Sequence, residues 1–177
     1  IRRNPNITNI VHDNMVYGLT KGQASPTSQE GMVTPIQTEG VLLEPFNPLA
    51  TALTLGATFV GRVFSGDILQ AKEIVKQAIL HKGYALVDVF QPCVVYNKQN
   101  TYQWFKENTY YLDENYDTKD KKMALEKAFD TDRMALGVIY QEVGKPDYGT
   151  KLGISEQPLF QHQRDDQILK KLIQSYR

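Results

Sequence analysis

ATFVGRVFSGDILQAKEIVKQAILHKGYALVDVF, residues 57–90, decides the fold. Its opening run, 57–64, is mostly apolar and reads as a strand. Asp67 stands where a helix N-cap belongs, with Gln70 three residues on. Ile68, Ala71, Ile74, Val75, Ala78 and Ile79 then fall on one stripe of a helix over 67–82, which Gly83 ends. YALVDVF, 84–90, is a near-continuous apolar run of the kind buried on both faces of a parallel sheet. Strand, helix and strand at these lengths make a right-handed βαβ unit. The predicted class is α/β, a doubly wound parallel sheet.

Upstream, Asn47-Pro48 offers an N-cap followed by proline at the first helical position. Leu49, Ala52 and Leu53 form one face of that helix, and Gly56 closes it. Residues 24–47 are rich in Pro, Ser, Thr, Gly and Gln and read as a long ordered loop. Before it, Ile7, Ile10 and Val11 mark a short buried strand that ends in Asp13-Asn14 and breaks into YGLTKGQ, 17–23. Ligands of open α/β sheets bind beyond the carboxyl ends of strands. An acid, an amide, a hydroxyl and glycines at such an end are either a polar loop or a cation and phosphate site. Magnesium suits the second, because it takes oxygen ligands and shares them with a phosphate.

Downstream, 101–116 carries Trp104, Phe105 and four tyrosines among charges and fits no simple periodic element. Residues 118–129 read as a lysine-rich helix, 134–142 as a last strand or extended segment, and 144–153 as turns. A terminal helix over 165–176 has Ile168, Leu169, Leu172 and Ile173 on one side.

The totals limit the function classes. The chain has 177 residues, 41% of them hydrophobic, with 20 basic and 20 acidic side chains and no net charge. That suits one domain with an extension and gives no field to attract nucleic acid or anionic lipid. No apolar stretch approaches a membrane span. The single cysteine, Cys93, excludes an internal disulfide and suits a reducing cytoplasm. His12, His81 and His162 have no paired metal or catalytic spacing and are expected to be structural or on the surface.

HDNMVYGLTKGQASPTS, 12–28, resembles the segment that closes the diphosphate motif in the thiamine-diphosphate-binding β subunits of 2-oxoacid:ferredoxin oxidoreductases. The resemblance covers most of 1–97 and fades beyond. It implies the thiamine-diphosphate-binding fold for 1–97, and leaves 98–177 as an irregular extension packed on that domain or on a partner subunit. It also implies that Asn14, by its side chain, and Val16, by its backbone carbonyl, hold Mg2+, with Tyr17, Gly18, Leu19 and Thr20 along the cofactor. Residues two apart on an extended chain point the same way, which fits a shared ion. Lys21 is either a solvated loop lysine or, as in relatives with lysine there, the group that meets the 2-oxoacid carboxylate. FQPCVVYN, 90–97, resembles the strand-end motif whose cysteine is the fourth ligand of a [4Fe–4S] cluster; taken alone, Cys93 would read as a small core residue. The family's GDG motif and three other cluster cysteines lie upstream of the matched segment and are absent here, so an N-terminal part is expected to be missing.

The reaction implied is oxidative decarboxylation of a 2-oxoacid, 2-oxoglutarate by the resemblance, with coenzyme A and ferredoxin. The partner is an α subunit, which in this family supplies the activating glutamate, so no residue of this chain is expected to be the general base. Two alternatives stay open: a redox-free thiamine-diphosphate decarboxylase or carboligase, and a non-catalytic α/β binding or assembly module.

Overall fold

The two apolar runs of 57–90 pair as parallel strands. A computed structural model describes residues 1–154, 157–161 and 165–176. Its strands are β1 (Ile7–Asp13), β2 (Phe59–Phe64), β3 (Tyr84–Phe90), β4 (Thr109–Tyr111) and β5 (Met134–Gln141). Its helices are α1 (Pro48–Thr54), α2 (Ile68–Leu80), α3 (Tyr102–Asn108), α4 (Lys121–Phe129), α5 (Tyr148–Lys151) and α6 (Asp166–Ser175), with a 3-10 turn at Leu159–Gln161. The five strands form one sheet in the order β1-β3-β2-β5-β4. The first three are mutually parallel; β5 runs antiparallel to β2, and β4 runs parallel to β5. The α/β class holds, and the sheet is mixed beyond β2.

Helices cover both faces. Phe59, Val63, Ala85 and Val87 face α2 through Ile74 and Ala78. Val60 and Leu86 face the other way, onto Leu49 and Leu53 of α1 and Ala124 and Ala128 of α4. The α2 N-cap forms as expected: the Asp67 side chain accepts from Gln70 N at 3.1 Å. The stripe on α2 is narrower than the six apolar residues suggest. Ile74 and Ala78 are buried, whereas Ile68 and Ile79 are exposed, because at 100° per residue they lie roughly 100–120° from the direction midway between the two buried residues.

Two further expectations are corrected. The opening strand is not buried: β1 is an edge strand, with Ile7 54% and Ile10 39% exposed, since β3 is its only strand partner among the described residues. Residues 101–116 do contain regular structure. Thr101 caps α3 by accepting from Trp104 N, Phe105 is fully buried, and the chain passes directly into β4. Two helical turns and three strand residues are too short to set up a visible period. The stripe on α6 exists, but Ile168, Leu169, Leu172 and Ile173 are all exposed. Among the described residues, no helix is long and apolar enough to cross a membrane; His162 lies outside them.

At the amino ends of β2 and β3, buried polar groups lock the chain together. Asn4 Oδ1 accepts from Thr58 Oγ1 and from Tyr84 N, each at 2.9 Å, and His81 Nε2 lies 2.8 Å from Thr58 Oγ1. Gly83 passes through this knot at φ +127, and a Cβ there would stand 2.6 Å from Thr58 Oγ1 and 2.7 Å from Asn4 Oδ1. Gly83→Ala is therefore expected to cost about 2–4 kcal/mol from strain plus overpacking. An unchanged urea midpoint would show that the knot yields freely.

Burial holds the His81 pKa below its usual 6.5, partly offset by Glu142. The unfolded chain then takes the proton more readily than the folded one. The contribution of neutral His81 is complete above pH 6.5 and is lost as pH falls through the depressed folded value. Between about pH 7.5 and about pH 5.5, wild type should lose more urea stability than His81→Gln. Equal losses would mean that His81 contributes nothing to the pH dependence of stability.

Candidate functional site

The carboxyl ends of β1, β3 and β2 lie side by side, and the chain departs from each through polar turns. Gln91 N donates to Asp13 O at 3.0 Å and Ser65 N to Phe90 O at 2.9 Å, extending the ladders one step. Past Asp13 two successive turns are closed by side chains. Asp13 Oδ1 accepts from Met15 N and Asn14 Oδ1 accepts from Val16 N, each at 3.1 Å, with Met15 at φ +55. Asn14 and Val16 are thus related by a turn rather than by extended spacing. An amide oxygen has two lone pairs, and Val16 N–H takes one.

The long loop 24–47 fastens onto this segment. Thr27 Oγ1 donates to Asp13 Oδ1 at 2.6 Å and Ser28 Oγ donates to Met15 O at 2.7 Å. Tyr17 and Gln23 then pair across a tight loop, with Tyr17 N donating to Gln23 O and Gly22 N to Tyr17 O. Lys21 and Gly22 both have positive φ, which lets the loop reverse so sharply. Val16 is buried, Asn14 half-buried and Tyr17 half-exposed, while Thr20 and Lys21 face outward and Leu19 is 98% exposed. Gly18 has open space around its Cβ position.

Cys93 opens the turn after β3. Tyr96 N donates to its Sγ at 3.4 Å. Burial pushes the thiol up, but the amides of Tyr96, Val95 and Asn97 and the charge of Lys98 together outweigh this and hold it below the usual thiol range. A thiol held in this range gives up its proton more readily, and the thiolate is the form that binds metals. Tyr96 also packs against Gly22, whose Cβ position is 3.5 Å from the Tyr96 side chain, so the cysteine turn and the 17–23 loop touch.

Beneath both turns lies a charged layer. Parallel register puts Asp13, Asp88 and Arg62 on one face of three adjacent strands. Arg62 Nε donates to Asp88 Oδ2 at 2.9 Å, and its guanidinium sits 4.7 Å from the Phe90 ring. Asp88 is fully buried, and among the described residues its Oδ1 has no hydrogen-bond partner. Burial, opposed by Arg62 and reinforced by Asp13, pushes Asp88 up to about 6. Burial likewise raises Asp13, against the pull of Thr27, Met15 N–H and Arg62. Met15, Phe64, Phe90, Phe105 and Leu136 pack as an apolar cluster at the same end of the sheet.

An open cleft of about 880 Å³ runs beside the site, bordered by Tyr17, Ser25, Ser28, Gln37, Leu43 and Phe46. A smaller hollow of about 450 Å³, between residues 1–5 and Tyr148, lies at the opposite end of the sheet. Among the described residues no three His, Cys, Asp or Glu side chains converge on a metal position. The oxygens of 13–16 and the thiol of Cys93 are each partial donor sets. They suit a hard cation shared with a phosphate and a cluster completed by other thiolates.

The thiamine pyrophosphate enzyme C-terminal TPP-binding domain matches residues 1–89, and the C-terminal part of the pyruvate ferredoxin oxidoreductase β subunit matches 93–156. A 2-oxoacid:ferredoxin oxidoreductase β subunit from Sulfolobus is 37% identical over 96% of this chain and 60% of its own length. The chain belongs to the β-subunit family of 2-oxoacid:ferredoxin oxidoreductases. Within that family, the Saccharolobus solfataricus β subunit is 41% identical over 79% of this chain and 50% of its own. Subunit KorB of a Mycobacterium tuberculosis 2-oxoglutarate oxidoreductase is 46% identical over 55% of this chain and 26% of its own. The solved 2-oxoglutarate:ferredoxin oxidoreductase of Magnetococcus marinus, with 2-oxoglutarate, coenzyme A and succinyl-CoA bound, superposes with a TM-score of 0.88 at 33% identity. That match covers 99% of this chain and 60% of that one. The chain spans 50–60% of the first two relatives' lengths.

Sequence reasoning named Asn14, Val16, the 17–21 loop and Cys93, and the fold gathers them at one end of the sheet. It missed Asp13, Thr27 and Ser28 as fasteners and Arg62–Asp88 as the floor. A signal for the floor was present: one charge in each of two otherwise apolar strands calls for a buried partner.

Proposed function

We propose that this chain is the cofactor- and cluster-facing part of the β subunit of a coenzyme A-dependent 2-oxoacid:ferredoxin oxidoreductase acting on 2-oxoglutarate. One observation carries the reading: an oxygen-bearing turn and an acidified thiol stand together at the ends of adjacent parallel strands. Asn14 and Val16 are the Mg2+ ligands, and Tyr17, Gly18, Leu19 and Thr20 line the thiamine diphosphate. Lys21, exposed on its loop, receives the substrate carboxylate. Cys93 is one of four thiolates on a [4Fe–4S] cluster, and the Tyr96 N–H that donates to its Sγ stabilises the charge it would carry there. When bound, thiamine diphosphate supplies the electron sink for decarboxylation and the cluster takes up electrons singly.

The balance is 2-oxoacid plus coenzyme A plus two oxidised ferredoxins giving acyl-CoA, carbon dioxide, a proton and two reduced ferredoxins. An α subunit completes the site, and the complex works in the cytoplasm. Support for the substrate comes from the relatives and the solved neighbour named for 2-oxoglutarate. The test is the composition of the full-length subunit co-purified with its α partner without oxygen. Bound thiamine diphosphate, magnesium and about four irons per cluster are expected; absence of thiamine diphosphate would sink the reading.

A further inference from the structure

Asn97 is 1% exposed, and its amide uses every hydrogen-bonding position it has. Oδ1 accepts from Gln99 N and Asn100 N at 3.0 Å each, and Nδ2 donates to Asn100 Oδ1 at 2.9 Å. The remaining Nδ2 proton goes to the backbone carbonyl of Asn14 at 3.1 Å, across 83 positions of sequence. The Asn97 N–H donates to Cys93 O at 3.2 Å. One residue therefore closes the turn that carries the thiol and holds the segment that carries Asn14.

We infer that Asn97 is a positioning residue that sets the Cys93 turn against the Asn14–Val16 segment, so that the cluster side and the diphosphate side of the site are fixed by one amide. This rests on the function proposed above. A saturated, buried amide is rigid, and losing its Nδ2 strands the Asn14 carbonyl without a partner and frees the segment to move. Serine separates the two roles. Its hydroxyl can still accept from the amide two residues on, as ST-turns do, but it has no second donor for Asn14.

The experiment uses the full-length β subunit in complex with its α partner, purified without oxygen. Thiamine diphosphate affinity in magnesium, the EPR spectrum of the reduced cluster and the thermal midpoint are measured for wild type, Asn97→Ser and Asn100→Ala. Asn97→Ser should weaken thiamine diphosphate about tenfold, the worth of one hydrogen bond, and shift the cluster g-values. Asn100→Ala disturbs the same turn but spares the Asn14 bond, so it should lower the midpoint and move neither readout. Should Asn97→Ser not accumulate, Asn97→Gln, which displaces the amide by one methylene, is held to the same result. A drop in midpoint alone, with affinity within about twofold and the spectrum unchanged, overturns the inference. A wild-type complex lacking thiamine diphosphate or the cluster overturns the proposed function, and this inference with it.

Discussion

Arg62→Met lowers the unfolding free energy by about 3–5 kcal/mol, because it leaves Asp88 buried without the guanidinium that pairs with it. Folded domains hold only about 5–15 kcal/mol in total, so this is a large share. Asp88→Leu strands the Arg62 guanidinium and is expected to cost a similar amount. The double variant Arg62→Met/Asp88→Leu removes both desolvation penalties at once and should return to within about 1–2 kcal/mol of wild type, or exceed it. The pH dependence has a defined sign. The folded Asp88 pKa, about 6, lies above the ordinary 3.8, so its contribution is complete below pH 3.8 and lost as pH rises through 6. Removing Arg62 takes away the charge that opposes that rise. The deficit of Arg62→Met should therefore be larger at about pH 7.5 than at about pH 5. Urea melts at both values settle it, and additive single deficits would mean that the pair is not coupled.

Cys93→Ser and Asn14→Ala should divide the site into its two halves. Cys93→Ser removes the thiolate but leaves the 13–16 turns untouched. It is expected to retain thiamine diphosphate within about twofold while lowering electron delivery to an acceptor dye by about 100-fold or more. Asn14→Ala removes a magnesium oxygen and the bond to Val16 N–H, and should weaken thiamine diphosphate by about 100-fold with the cluster spectrum still present. Equal loss of both properties in both variants would mean general damage to this end of the sheet rather than two adjoining sites.

Residues 57–90 were legible because each signal is local: an apolar run, a cap with its partner three residues on, and a closing glycine. The edge position of β1 was not. Ile7, Ile10 and Val11 report an apolar strand, but whether a further strand covers it depends on chain outside the pattern. The antiparallel entry of β5 beside β2 was hidden for a similar reason, since it joins residues 59–62 to 137–141. In the site, Asn14 and Cys93 were visible through extended motifs around them. The bonds from Thr27 to Asp13, Ser28 to Met15 and Asn97 to Asn14 span 13 to 83 positions and exist only once the loops are folded. The Arg62–Asp88 pair needed the parallel register of β2 and β3, which puts these two residues opposite one another.

The deciding experiment takes the full-length subunit with its α partner and follows viologen reduction without oxygen, with coenzyme A and a panel of 2-oxoacids. Reduction should require coenzyme A and 2-oxoglutarate together, with acyl-CoA and carbon dioxide as products. Decarboxylation with no reduction of the viologen would contradict the proposed function, leaving a redox-free thiamine-diphosphate enzyme in which Cys93 carries no electrons.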